Sequence, residues 1–182
     1  MERLGESLQK AADSGELCRQ RLELAFRTTC EGVGHLHNLL IAHTDIKPSN
    51  ICFKDPFASD AKLIDFDAAE NLQHSEQIMQ RQPNNVVVWS PERREEGSTR
   101  RFLPEDVFAV GYTFAILMKD VGDKCLWLRA QVKPLLRVAS ARPSMHQALQ
   151  HTQAVMESEH EPLPALLGSK QCQTPLEKMF GL

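Results

Sequence analysis

The longest apolar run in the chain, Val107–Met118, constrains the fold more than any other stretch. Gly111 and Thr113 interrupt it, and it is well short of the ~20 residues that a membrane-spanning helix needs. A helix that is apolar on nearly every face has to be surrounded by other elements of the same protein. The sequence therefore predicts a central buried helix and no membrane partner.

Composition narrows the class of protein further. The chain has 182 residues, of which 42% are hydrophobic and 25% charged, as expected of a globular domain with a real core. The net charge of −3 and the scattered Lys and Arg residues argue against a nucleic-acid partner. The 5 cysteines are widely spaced without a C-x-x-C pair, which indicates neither a disulfide framework nor a zinc knuckle. With no secretory-type segment near the first residue, we expect an intracellular, cytoplasmic protein.

Apolar residues of Leu17–Leu40 recur at three- and four-residue steps, which predicts one long amphipathic helix with a core-facing stripe. That stripe consists of Leu22, Ala25, Phe26, Cys30, Val33, Leu36 and Leu40. A shorter helix before it should end at Asp13-Ser14-Gly15. His35 and His37 lie two residues apart and project from different helix faces, so we interpret them as packing or surface residues rather than metal ligands.

A polar stretch, His43-Thr44-Asp45-Ile46-Lys47-Pro48-Ser49-Asn50, suits chemistry on phosphate. Asp45 is a carboxylate that could orient a hydroxyl group and take its proton. Lys47 could neutralise a transferring phosphoryl group. Asn50 and Asp65 offer oxygen ligands to a hard cation such as Mg²⁺.

These residues stand in the order of two motifs of the protein kinases. The stretch H-T-D-I-K-P-S-N resembles the catalytic loop H-R-D-x-x-x-x-N, and Asp65-Phe66-Asp67 resembles the metal loop D-F-G. Ser90-Pro91-Glu92 is similar to the A-P-E element, and the resemblance implies that Glu92 pairs with Arg142. It also implies that Asp106 is structural and holds the backbone near the catalytic His43.

The resemblance implies a mainly α fold like the C-terminal lobe of a kinase over residues 1–150, followed by an irregular tail over residues 151–182. A short β-hairpin, Ile51–Phe53 with Lys62–Ile64, would place Asn50 and Asp65 close together. We expect no N-terminal β-lobe within these residues, because the sequence contains neither a G-x-G-x-x-G loop nor a V-A-I-K lysine.

The implied function is a serine/threonine protein kinase that uses ATP and Mg²⁺ and acts on a protein substrate. Asp45 and Lys47 would be catalytic, and Lys47, two residues after Asp45, is typical of the Ser/Thr type. Lys47, Asn50 and Asp65 would bind Mg·ATP, with Asn50 and Asp65 as the metal ligands.

Two departures from the kinase motifs, and one other enzyme class, keep alternatives open. Thr44 replaces the Arg that pairs with a phosphorylated activation loop, so switching by loop phosphorylation is not expected. Asp67 replaces the Gly of D-F-G, which together with the absent lobe favours a non-catalytic, kinase-like binding module. A small-molecule phosphotransferase of the aminoglycoside type shares H-x-D-x-x-x-x-N but generally lacks Lys47.

The first residues, Met1–Leu8, resemble the hinge between the two kinase lobes. Both a truncated reading frame and a one-lobed protein fit this start. In either case, a missing or separate N-terminal lobe is an expected partner.

Overall fold

The computed structural model describes residues 3–54, 60–73, 90, 102–121 and 125–158, and within them the fold is mainly helical, as predicted. Helix α1 (Leu8–Asp13) begins after Ser7, whose hydroxyl accepts a hydrogen bond from the backbone N–H of Lys10 at 3.2 Å. It ends before Gly15, whose φ of 70° is costly for residues other than glycine. The Asp13-Ser14-Gly15 break is confirmed.

Helix α2 (Arg19–Asn38) follows and confirms the long amphipathic helix predicted from residue spacing. Its core-facing side is formed largely by the residues of the predicted stripe. The prediction is wrong for Leu40, which lies beyond the end of the helix and is 45% exposed. The buried residues of the helix are Leu22, Ala25, Phe26, Thr29, Cys30, Val33 and Gly34.

Within the described residues, four short strands follow, and they form two separate two-stranded antiparallel sheets. They are β1 (Ile41–Ala42), β2 (Ile51–Phe53), β3 (Ala61–Leu63) and β4 (Glu70–Asn71). Strands β2 and β3 pair with Ile51 opposite Leu63, which confirms the predicted hairpin.

The pairing of β1 with β4 was not predicted from the sequence. Ile41 lies opposite Asn71, and Ala42 lies opposite Glu70. Two-residue strands are too short to show the alternation of apolar and polar residues that reveals a strand in a sequence.

Helix α3 (Phe102–Val121) is the predicted central helix. Val107, Val110 and Phe114 on it are at most 2% exposed. The ring of Phe114 meets the ring of Phe26 from α2 edge-on, with 5.1 Å between the ring centroids. Tyr112 is 39% exposed, so one side of this helix reaches solvent.

Helices α4 (Leu126–Leu135) and α5 (Met145–Ser158) complete the described fold. Helix α5, which packs against α2, was missed. The prediction of irregular chain from residue 151 onward is wrong for residues 151–158, because α5 continues to Ser158 and the boundary drawn at 150 falls inside it. Residues 159–182 lie outside the described residues.

Cys30, Cys52 and Cys125 are free and buried, and burial raises the pKa of each thiol. The negative charge of Glu31 raises the pKa of Cys30 further. These thiols are therefore poor nucleophiles at neutral pH.

No helix in the described ranges combines the length and apolar character required to cross a membrane.

Arg142, 8% exposed, joins the turn after α4 to the start of α3. Its Nε and Nη2 atoms donate to the carbonyl oxygen of Arg137 at 3.0 and 2.7 Å, and Nη1 donates to that of Pro104 at 2.7 Å. The guanidinium carbon lies 5.0 Å from the ring centroid of Phe108. Its predicted partner Glu92 lies outside the described residues, so that pair stays a prediction.

Replacing Arg142 by Ala should lower the free energy of unfolding by about 3 kcal/mol, because the carbonyl groups of Arg137 and Pro104 lose donors in partly buried hydrogen bonds and Phe108 loses a cation. Urea unfolding measures the change. Arg137→Ala is the matched control, since it removes an exposed guanidinium but keeps the carbonyl group; its effect should stay within about 0.5 kcal/mol. Equal effects of the two variants would contradict this account.

Gly111 allows α4 to approach α3, because a Cβ atom at this position would lie only 2.7 Å from Cβ of Leu135. A Cβ atom at Gly32 of α2 would meet Leu63 Cδ1 at an ordinary 3.6 Å. We expect Gly111→Ala to lower stability by about 1–3 kcal/mol through overpacking. Gly32→Ala should leave stability unchanged or raise it by up to about 1 kcal/mol. Thermal unfolding of both variants tests this, and a stabilised Gly111→Ala protein would refute it.

Candidate active site

Asp106, near the start of α3, anchors the polar loop that follows β1. Its side chain is 1% exposed. Oδ2 accepts a hydrogen bond from the backbone N–H of His43 at 2.7 Å, and Oδ1 accepts one from that of Thr44 at 2.8 Å. His37 of α2 brings Nε2 within 3.1 Å of Oδ2. The expectation that Asp106 is structural and holds the backbone near His43 is confirmed.

His43 is fully buried and connects this loop to the end of β3. Its Nε2 atom lies 3.1 Å from the carbonyl oxygen of Ile64, and its Nδ1 atom accepts from the backbone N–H of Asp45 at 3.4 Å. The imidazole ring packs against Phe66, with 4.9 Å between the ring centroids. His43 is therefore a scaffold for its neighbours on both loops.

Asp45, Lys47 and Asn50 come together as a compact polar group. Lys47 Nζ lies 2.6 Å from Asp45 Oδ2, and Asn50 Nδ2 donates to the same oxygen at 2.9 Å. Asn50 Nδ2 also lies 3.0 Å from the carbonyl oxygen of Asp45. Pro48, locked in φ, begins the 3-10 turn Pro48–Asn50 that brings Asn50 back toward Asp45. Because both donors use Oδ2, the other carboxylate oxygen faces away from them.

Asp65 lies beside this group because the β2–β3 pairing continues beyond the strands. The backbone N–H of Ile64 donates to the carbonyl oxygen of Asn50 at 3.0 Å, so Asn50 and Asp65 lie at the same end of the hairpin, as predicted. Asp65 is exposed and has a φ of 65°. Phe66 is 47% exposed, and Asp67 is exposed in the turn that follows.

The donor atoms at this end of the hairpin suit a hard cation. The amide nitrogen of Asn50 is used by Asp45, which leaves its Oδ1 atom for a cation, and Asp65 adds a carboxylate. Mg²⁺ is commonly held by one or two protein oxygen ligands together with water and substrate phosphate. Within the described part of the chain, no group of three or more His, Cys, Asp and Glu residues could hold a metal ion. The residues present therefore fit Mg²⁺ better than a structural zinc site.

Two residues with roles around this site were missed from the sequence. His37 was interpreted as a packing or surface residue, yet it contacts Asp106. Thr44 was regarded only as a missing arginine, yet its hydroxyl group donates to the carbonyl oxygen of Ala68 at 2.6 Å. A buried carboxylate such as that of Asp106 needs hydrogen-bond donors or a positive charge nearby, so the sequence could have indicated that such partners exist. It could not indicate which residues they are.

A family model described as "Protein kinase domain" matches residues 1–131. The chain belongs to the protein kinase family. The matched region contains the loop of His43 to Asn50, the hairpin and most of the helical core.

Individual relatives are also protein kinases. The chain is 31% identical over 77 residues to myosin light chain kinase family member 4 of Homo sapiens. The aligned region covers 36% of this chain and 20% of that protein. It is 28% identical over 114 residues to the serine/threonine-protein kinase stk11 homolog of Dictyostelium discoideum, covering 62% and 19% of the two chains. It is 36% identical over 69 residues to calcium-dependent protein kinase 6 of Plasmodium berghei (strain Anka), covering 38% and 5%. The aligned regions thus span a fifth or less of each relative.

Asp106→Asn should destabilise this protein by about 2–3 kcal/mol, because an amide NH₂ group would replace one acceptor and leave a backbone donor of the loop unpaired. Chemical unfolding measures the loss. Asp60→Asn is the matched control, since Asp60 is exposed and its substitution should change stability by less than about 0.5 kcal/mol. A wild-type stability for Asp106→Asn would show that the carboxylate does not anchor the loop.

Proposed function

We propose that this chain is the C-terminal lobe of a serine/threonine protein kinase that transfers a phosphoryl group from ATP to a protein hydroxyl group. One observation carries the proposal. Lys47 and Asn50 hold Asp45 through a single carboxylate oxygen, at 2.6 and 2.9 Å, with Asp65 at the neighbouring hairpin end. The other oxygen of Asp45 is then available to a substrate hydroxyl group.

In this proposal Asp45 orients the substrate hydroxyl group and accepts its proton. Lys47 lies between Asp45 and the phosphate position, where its positive charge can move from the carboxylate toward the γ-phosphoryl group as negative charge develops there. The side chains of Asp45 and Lys47 are 21% and 26% exposed, so both can be reached by a substrate.

The proposed cofactors are ATP and Mg²⁺. Asn50 Oδ1 and the Asp65 carboxylate would hold the metal ion, and Lys47 would contact the nucleotide phosphate. When bound, Mg²⁺ neutralises charge on the phosphate groups. The role of this chain would be to keep Asn50 and Asp65 at one end of the hairpin. The hydrogen bond from the Ile64 N–H to the Asn50 carbonyl oxygen supports that role.

Specificity for serine and threonine is proposed from Lys47, two residues after Asp45, and from the similarity to relatives such as the serine/threonine-protein kinase stk11 homolog. The proposed partners are a protein substrate and an N-terminal lobe that covers ATP. We propose residues 1–150 as the lobe and 151–182 as a tail, with α5 crossing from one into the other.

A non-catalytic binding module remains the second candidate, and Asp67 favours it. The exposed Asp67 carboxylate is placed two residues after Asp65, in a turn where the family motif has glycine. Its charge would repel phosphate groups at the proposed metal site. Such a protein would bind a nucleotide or a protein partner without transferring phosphate.

Two forms of the protein decide between these candidates: residues 1–182, and the same chain joined to a kinase N-terminal lobe. Positioning of reactants can account for roughly 7–11 kcal/mol of a barrier, and that positioning requires both sides of the ATP cleft. The short chain should therefore bind Mg·ATP weakly and transfer phosphate negligibly. The joined form should transfer phosphate, and Asp45→Asn should abolish the transfer.

Titration calorimetry and a radiolabelled-phosphate assay on both forms measure these outcomes. Asp60→Asn is the matched carboxylate control and should retain activity. Robust transfer by the short chain that depends on Asp45 would contradict the proposed need for a second lobe. Tight nucleotide binding without transfer in the joined form would favour the binding module.

A further inference from the structure

Thr44 adopts a backbone conformation that its side chain disfavours. Its φ is 65°, in the left-handed region, where a β-branched residue is a genuine outlier. Asp65, in the loop that faces it, has the same φ of 65°. Such conformations persist only where the surroundings hold them, and they concentrate at functional sites. The contacts that hold Thr44 therefore indicate what it does.

Thr44 donates two hydrogen bonds, which connect it to two different elements. Its backbone N–H donates to Asp106 Oδ1 at 2.8 Å, which fixes it to α3. Its hydroxyl group donates to the carbonyl oxygen of Ala68 at 2.6 Å. Ala68 lies three residues after Asp65, in a turn closed by the hydrogen bond from Ala69 N–H to the carbonyl oxygen of Phe66 at 2.9 Å. The hydroxyl group thus joins the loop of Asp45 to the loop of Asp65.

The Thr44–Ala68 hydrogen bond adds a contact to the short β1–β4 sheet, at the end nearer the candidate active site. Strands β1 and β4 contribute two residue pairs, of which Ala42 with Glu70 is the one nearer the site. Leu72 N–H adds a hydrogen bond to the carbonyl oxygen of Leu40 at 2.8 Å at the far end. So short a ribbon is marginally stable by itself. A further contact at the site end therefore has a large influence on where the Asp65 loop lies.

We propose that Thr44 is a positioning residue whose hydroxyl group holds the Asp65 loop against the Asp45 loop without a phosphate group. The arginine expected at this position is positively charged and pairs with a phosphorylated loop, whereas Thr44 reaches a backbone carbonyl group directly. The two loops are then aligned without phosphorylation of the chain. The consequence for catalysis rests on the proposed function, but the alignment itself does not.

Two matched pairs of variants isolate the hydroxyl group. Thr44 and Thr44→Val share the β-branched shape and the same backbone strain, and only the first has the donor. Thr44→Ser and Thr44→Ala form the second pair, with less strain in both members, so the comparison survives if the valine variant folds poorly.

Hydrogen exchange of backbone amides in residues 68–72 is the first readout. Within each pair, the member without the hydroxyl group should exchange about two- to tenfold faster there, as expected for the loss of one hydrogen bond. Amides in α2 and α3 should exchange equally in both members. Equal exchange of residues 68–72 within both pairs would overturn the proposal, whether or not the protein is an active kinase.

The second readout is the Mg²⁺ dependence of ATP binding, measured by calorimetry on the chain joined to an N-terminal lobe. Loss of the hydroxyl group should raise the Mg²⁺ concentration needed for half-maximal binding several-fold, and Thr44→Ser should restore it. Phosphatase treatment should change neither value in the wild-type protein. An unchanged Mg²⁺ dependence, or a large effect of phosphatase, would overturn the positioning role. Absence of phosphate transfer in every variant, with these shifts present, would count against the proposed function alone.

Discussion

A single buried carboxylate, Asp106, determines where the polar loop of this protein lies. Burying an isolated charge is unfavourable, and three donors offset the cost: the backbone N–H groups of His43 and Thr44, and the nearby His37 ring. The carboxylate belongs to the central helix and not to the loop that it organises. The loop therefore takes its position from the most apolar element of the fold.

The position of Asp106 depends in turn on how α3 packs. Helix α4 approaches closely at Gly111, and Phe114 packs edge-on against Phe26 of α2. Arg142 binds the carbonyl oxygen of Pro104, one turn or less from Asp106. These contacts are ordinary packing and hydrogen bonding, yet together they set the loop that carries Asp45. The geometry of the candidate active site is therefore a property of the whole helical core.

The sequence revealed what depends on periodicity and on residue type. The three- and four-residue spacing of α2, the apolar run of α3 and the β2–β3 hairpin were all predictable, and so was the closeness of Asn50 and Asp65. Helix α5 was missed because its exposed face is polar and Gln-rich. The Thr44–Ala68 and His37–Asp106 contacts were missed because they join residues far apart in the chain, and local patterns carry no information on such pairs.

Amide hydrogen exchange of His43 and Thr44 in the wild-type chain tests the central claim most directly. Both N–H groups donate to a buried carboxylate, so they should exchange only when the core opens, at rates like those of amides in the middle of α3. Their exchange should also become slower when the free energy of unfolding is raised and faster when it is lowered. Exchange of either amide at the rate of the exposed turn at Asp67 would contradict the claim that Asp106 organises the loop.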